Sequence, residues 1–217
     1  MPDAATTWSM VHAERKVLVE TLSKLTPEQW ATPSLCGTWT VKLVAAHVLS
    51  GAEQTGPNFM KGMVVNGFRF NTMMDRDARR LGALRTDEIV ERLRVRTTTT
   101  NHPPAPAMAM LGEVVVHGED IRRPLGLTEE PTAVGADAIV ACLEMYKTAT
   151  FPVGGKKRIV GLRLVATDVD WSAGTGPEVS GPGRSLLLAM TGRRGGADDL
   201  VGDGVATMRT RIPAAVG

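Results

Sequence analysis

The stretch MLGEVVVHGEDIRRPLG, residues 110–126, decides how this chain folds and points to one site. It carries Glu113 and His117 four residues apart. Positions i and i+4 of an α-helix share one face, so this carboxylate and this imidazole can converge on one point. Three valines fill the interval between them. Ionisable groups on so apolar a helix are costly to bury unless they are paired or bound to a metal.

A second segment, CGTWTVKLVAAHVLSG at residues 36–51, carries His47 on another apolar helix. His47, Glu113 and His117 together would supply two nitrogens and one oxygen, a set that suits Zn²⁺ or a similar divalent ion. Three protein ligands leave one coordination position open, as catalytic metal sites do. A role without a metal ion also stays open for these residues. Glu-x-x-x-His spacings are common by chance, and a helical histidine is more often a surface or hydrogen-bonded core residue.

The order of predicted elements gives an α+β fold class in two parts. Residues 1–150 read as a helical bundle, with Thr26 and Thr40 as helix caps, a helix over 108–123 and another beginning near residue 136. Residues 151–217 read as a small C-terminal α/β domain: a strand over 158–166, a short helix at RSLLLAMTGRR and a final strand at GVATMRTRIP.

Composition excludes several classes of protein. The chain has 217 residues, 43% of them hydrophobic, and a net charge of +2, which favours neither nucleic acid nor an anionic membrane as partner. No apolar run approaches the ~20 residues of a membrane span. Two distant cysteines, Cys36 and Cys142, argue against a disulfide framework, so we expect a cytoplasmic protein.

Three segments together resemble the mycothiol-dependent maleylpyruvate isomerase family of actinobacteria, within the DinB-like superfamily: the stretch around Trp39 and His47, the Glu-x-x-x-His-Gly-x-Asp pattern ending at Asp120, and SGPGRSLLLAMTGR at 180–193. The resemblance implies a DinB-like four-helix bundle followed by a small α/β domain. It also implies that His47, Glu113 and His117 bind the metal, normally Zn²⁺, and that mycothiol is the thiol cofactor.

The resemblance implies an enzyme, an isomerase or S-transferase acting on a small-molecule electrophile with a low-molecular-weight thiol. A metal lowers the pKa of a bound thiol, so a thiolate nucleophile exists at neutral pH. Asp120 is a candidate to orient His117, or equally to pair with Arg122 or Arg123. Arg193, in the Thr-Gly-Arg stretch that the family associates with activity, could clamp a substrate carboxylate or be a plain surface arginine.

Two other functions remain open at this stage. The chain could be a non-enzymatic sensor or structural module, in which His12, Cys36 or Asp120 closes the metal site as a fourth ligand. It could also be a hydrolase that uses metal-activated water and no thiol. The sequence leaves undecided the electrophile, the metal, the thiol, the residues that bind the cofactor and the oligomeric state.

Overall fold

The computed structural model describes residues 1–127 and 132–213, and the chain divides into two compact units. One unit spans Asp3–Ala133, and the other begins at Val134 and includes Met1–Pro2. The helix near residue 136, which sequence placed in the bundle domain of residues 1–150, therefore groups with the C-terminal part. It does so because its apolar face packs against two later helices, a contact that composition does not reveal.

The Asp3–Ala133 unit is helical. Its elements are α1 (Ala4–Leu22), α2 (Pro27–Ala31), α3 (Val41–Glu53), α4 (Gly56–Val65), α5 (Phe70–Gly82), α6 (Thr86–Val95) and α7 (Ala107–Arg122). Helices α1, α7, α3 and α6 pack in a closed cycle, each against the next, which is the expected four-helix bundle. Leu18, Leu49, Leu93 and Leu111 supply its fully buried interior, one from each helix.

Two of the predicted helix starts are set by side-chain caps. Thr26 and Gln29 form a reciprocal capping box at α2, and the Thr40 hydroxyl accepts a hydrogen bond from the Leu43 amide at the start of α3. Helix α6 begins without such a cap, because Thr86 is its first residue and Arg85 stands before it without a side-chain hydrogen bond. The chain breaks between α4 and α5 around Gly67, which has a φ of +59° that favours glycine.

The C-terminal unit has mixed secondary structure. It contains α8 (Ala136–Thr148), α9 (Gly155–Ile159), β1 (Arg163–Ala166), β2 (Ser172–Ala173), β3 (Glu178–Gly181), α10 (Gly183–Met190) and α11 (Val205–Arg211). Strand β1 is central, antiparallel to β2 and parallel to β3. Helix α8 packs on α9 and α10. The expected α+β fold class is confirmed.

Two strand predictions in this unit are corrected. The run over 158–166 becomes strand only from Arg163, since the residues before it close helix α9. The final segment, expected as a strand, is helix α11, whose buried residues Val205 and Met208 lie three apart on one helical face. Among the described residues, no helix combines the length and apolar character required to cross a bilayer.

A buried ion pair ties α1 to α7. Arg122 donates to a Glu14 carboxylate oxygen at 2.8 Å with both side chains at most 2% exposed, and the other Glu14 oxygen accepts from the Ala133 amide. Breaking such a pair leaves an uncompensated buried charge. Gly118 makes room for it, since a Cβ at that position would lie 2.9 Å from the Arg122 guanidinium.

We expect Gly118→Ala to destabilise the protein by about 1–3 kcal/mol, because the added methyl forces the buried Arg122 away from Glu14. The higher helix propensity of alanine offsets part of this cost. Chemical denaturation measures the change. Gly56→Ala is the matched control, since no atom lies within 4 Å of its added Cβ. Equal stability of the two variants would contradict the proposed role of the close approach.

Candidate metal centre

His47, Glu113 and His117, predicted from sequence as one cluster, are brought together. One potential ligand atom from each lies within 4.8 Å of the others. His47 Nε2 lies 2.9 Å from Glu113 Oε1, and the two imidazole rings meet edge to face with centroids 4.8 Å apart. Two nitrogens and a carboxylate oxygen thus converge at one point between α3 and α7.

The local sequence explains this convergence. Thr40 fixes where α3 begins, and therefore the direction in which His47 points about two turns later. Gly51 stands one turn beyond His47 on the same face, and a Cβ there would contact Glu113 Oε1 at 3.5 Å. Both histidines are 8% exposed. The two histidines are therefore nearly buried, whereas the Glu113 side chain is 29% exposed.

Asp120 lies beside His117, the contact required by the first of the two roles considered for it. His117 Nδ1 and an Asp120 carboxylate oxygen are 2.9 Å apart, and the Asp120 side chain is fully buried. The two arginines considered as its partners bind elsewhere: Arg122 donates to Glu14, and Arg123 donates to Glu119 at 2.9 Å. A carboxylate on Nδ1 holds its proton there and leaves Nε2 available as a ligand atom.

The charge state of Glu113 suits a ligand. Burial by itself raises the pKa of its carboxyl, but the neighbouring His47, His117 and Arg15 lower that pKa to about 2. Glu113 is therefore a carboxylate throughout the neutral range. Arg15 is 5% exposed, and burial lowers the pKa of its guanidinium to about 10, partly offset by Glu113.

Sequence reasoning did not identify Arg15 or Asp75 as neighbours of the cluster. The Trp39 indole lies 5.1 Å from the His47 ring, and its Nε1 donates to Asp75 at 3.0 Å. Trp39 could be singled out from the sequence because its position eight residues before His47 is part of the family resemblance. Asp75 lies on α5, and no local pattern ties it to α3, so only the tertiary packing identifies it.

The cysteines and remaining histidines have distinct surroundings. Cys36 forms a second group of potential ligands with His117 and Asp120, so it stands close to the cluster as the sequence allowed. His12 instead has its ring Nε2 3.2 Å from the Thr99 carbonyl oxygen. Cys142 is buried in the C-terminal unit, and burial raises the pKa of its thiol to about 12, which makes it unreactive at neutral pH.

Comparison with known proteins agrees with this architecture. Residues 11–101 match the family described as the mycothiol maleylpyruvate isomerase N-terminal domain. The predicted family resemblance is confirmed. The matched segment runs from within α1 to just beyond α6 and includes His47, while Glu113 and His117 lie outside it. No curated protein matches the chain in sequence.

Two solved structures share the fold. A crystal structure of mycothiol-dependent maleylpyruvate isomerase matches with a TM-score of 0.59, and that of a histidine-to-alanine mutant of this enzyme with 0.61. Each is 14% identical in sequence, and each alignment covers 93% of both chains. At this identity the likeness concerns the fold of the isomerase, and it spans nearly the whole chain.

Arg193, the remaining candidate from sequence, lies in the C-terminal unit of this isomerase-like fold. It follows α10, and its Nη1 donates to the Thr191 carbonyl at 3.0 Å. Arg158 is close enough that the Arg193 charge contributes, after burial, to lowering its pKa. Arg158 in turn donates to the Met190 carbonyl at 2.9 Å. Two guanidinium groups thus stand together around the Thr-Gly-Arg turn.

We expect Asp120→Asn to weaken Zn²⁺ binding by about 10- to 100-fold, because the amide cannot hold His117 in the same tautomer or support its basicity. Competition with a chromophoric chelator measures the affinity. Asp203→Asn, at an exposed position in the C-terminal unit, is the control and should bind Zn²⁺ like the wild type. Unchanged affinity in Asp120→Asn would show that the His117–Asp120 contact does not support metal binding.

Proposed function

We propose that the protein is a metal-dependent enzyme that uses a low-molecular-weight thiol, mycothiol being favoured, to isomerise or S-conjugate a small electrophile. The convergence of His47, Glu113 and His117, with both histidines nearly buried, is the observation that supports this most directly. The family match of residues 11–101 favours mycothiol among thiols.

The residues present fit a divalent metal ion. Two imidazoles and a carboxylate are a donor set that Zn²⁺ accepts, and Asp120 supplies the outer carboxylate that metal-bound histidines usually have. The imidazole Nδ1 of His47 is buried and has no hydrogen-bond partner among the described residues. A metal ion held by these groups lowers the pKa of a thiol brought to it and so supplies a thiolate at neutral pH.

A thiolate of this kind allows two reactions. For isomerisation, the thiolate sulfur adds to one carbon of the double bond, and the π electrons move to the electron-withdrawing group. Rotation about the resulting single bond and expulsion of the thiolate restore the double bond with the other geometry. For S-conjugation, the same adduct is kept and a proton is added at the neighbouring carbon. Both reactions balance without a redox partner.

Arg193 is our candidate for binding a substrate carboxylate. A guanidinium matches a carboxylate with two parallel hydrogen bonds, which an ammonium group cannot reproduce. The neighbouring Arg158 adds a second positive charge at the same turn.

A closed metal site is the second candidate function, and one observation favours it. Cys36 shares His117 and Asp120 as neighbours, with donor atoms within 4.8 Å, so a thiolate ligand could complete a four-coordinate structural or sensing site. Cys36 does not belong to the group that contains His47 and Glu113 among the described residues. This arrangement supports the open, enzymatic site better.

One prediction of this proposal concerns metal binding and thiol binding together. We expect the wild type to bind close to one Zn²⁺ and to bind mycothiol in a metal-dependent manner, whereas His117→Ala loses both because one of three ligands is gone. Elemental analysis and calorimetric titration of mycothiol measure the two quantities. His12→Ala, whose ring contacts the Thr99 carbonyl and lies outside both ligand groups, is the matched control.

The outcomes separate the candidate functions. Zn²⁺ with no affinity for the thiol would favour a hydrolase or a structural site. Loss of Zn²⁺ in Cys36→Ser would favour the closed site. A wild-type protein that takes up no metal on reconstitution would overturn the proposal.

The second prediction concerns Arg193. We expect Arg193→Lys to lower kcat/KM for a carboxylate-bearing electrophile by about 10- to 100-fold, because lysine cannot form the bidentate contact. Arg194→Lys, at the exposed next position, should leave kcat/KM unchanged. Steady-state kinetics with mycothiol as co-substrate measure both. Equal kinetics for the two variants would exclude a carboxylate-binding role for Arg193.

A further inference from the structure

A small pocket opens beside the proposed metal centre within the Asp3–Ala133 unit. His47 and Glu113, two of the proposed ligands, form part of its wall. We name this cavity the apolar pocket, after the apolar residues in its wall: Phe59, Phe70, Met74, Pro103 and Met110. A molecule in this pocket therefore lies directly against the groups that would carry the chemistry.

The apolar pocket is aromatic in character and lacks a cationic side chain. The rings of Phe59 and Phe70 lie 6.4 Å apart at an interplanar angle of 49°, a spacing at which a third ring can pack against either. Ser50 and Gln54 are its neutral polar members. None of the described residues that line it is a lysine or arginine.

The buried cation near this region does not change that character. Arg15 influences Glu113 electrostatically, but its guanidinium donates to the Thr99 carbonyl at 2.9 Å, and it is not among the lining residues. A carboxylate placed among the phenylalanines and methionines, away from the proposed metal ion, would lose its water without gaining a lysine or arginine partner among the lining residues. Such a transfer is strongly unfavourable.

We infer that the electrophile carries an apolar, preferably aromatic, body that fills the apolar pocket, an inference that rests on the proposed thiol-dependent function. A sugar-bearing thiol such as mycothiol needs many hydrogen-bonding partners, which this wall does not offer. The pocket is therefore assigned to the electrophile. The second carboxylate of a dicarboxylate substrate would have no place in it.

The size of the pocket restricts the body further. Its volume is about 50 Å³, whereas a cavity that holds a whole benzene ring measures about 150 Å³. The pocket therefore admits the edge of a ring or a short branched chain. Met74 and Met110 have flexible, polarisable side chains that adapt to the edge of a ring.

A binding series tests the inference without relying on turnover. Pentanoate, 4-phenylbutanoate and pentanedioate share one carboxylate and a short methylene chain, and they end in a methyl group, a phenyl ring and a second carboxylate respectively. We expect the zinc-loaded protein to bind 4-phenylbutanoate about tenfold or more tightly than pentanoate, and pentanedioate most weakly. Isothermal titration calorimetry or ligand-observed NMR measures the three affinities.

Variants locate the effect in the pocket. Met74→Lys places a cation in the wall and should erase the preference for phenyl over carboxylate, and Phe70→Ala should weaken binding of 4-phenylbutanoate by about fivefold or more. Met60→Lys, on α4 with the methionine 50% exposed, is the matched control and should keep the wild-type order. Zinc content is measured for each variant, so loss of the metal is not mistaken for loss of the pocket.

Kinetics with two enone acids then separate this inference from the proposed function. Conjugation of mycothiol to 4-oxo-4-phenylbut-2-enoate or 4-oxopent-2-enoate forms one C–S bond, consumes the C=C π bond and places the thiol proton on the adjacent carbon. Catalysis of both without preference for phenyl, or equal binding of the three probes, would overturn the aromatic-body inference and leave the thiol-dependent enzyme standing. Tight binding of 4-phenylbutanoate without catalysis of either conjugation would support the aromatic-body inference and overturn the proposed thiol-dependent enzyme.

Discussion

Burying ionisable groups inside an apolar helical bundle is the constraint on which the rest of this structure depends. Helix α7 is buried along most of its length, so each of its polar side chains requires a partner from elsewhere. Glu113 is close to His47 on α3, and Arg122 is bound by Glu14 on α1. The pairing of charges therefore fixes how the bundle helices are registered against each other, and the same pairing assembles the candidate metal centre.

The centre is organised in shells. The inner one holds two imidazoles and a carboxylate, and the outer one holds Asp120 on His117 and Trp39 on His47. The outer groups restrict ring orientation before any ligand binds, which lowers the entropic cost of forming a site. Gly118 belongs to the same helix as Asp120, and it leaves room for the Arg122 side chain, which a larger residue would push aside.

An apolar pocket lies beside the candidate centre. It is bordered by Phe59 and Phe70, and an apolar ligand that fills it would displace water next to His47 and Glu113. Removing water strengthens electrostatic interactions within the site. In the C-terminal unit, taken by itself, the turn that carries Arg193 has guanidinium groups and backbone carbonyls.

The sequence by itself determined the helical bundle, the capped starts of α2 and α3, and the shared face of Glu113 and His117, because these follow from local periodicity and from spacing within one helix. His47 lies on another helix, and its prediction as part of the same cluster rested largely on the family resemblance. It missed the strand-to-helix change at α11 and the grouping of α8 with the C-terminal unit, since burial by distant elements decides both. Only the tertiary structure decided that Asp120 contacts His117 while Arg122 donates to Glu14. The reason is physical: spacing along a helix limits which residues can meet, whereas packing between helices selects which of them do.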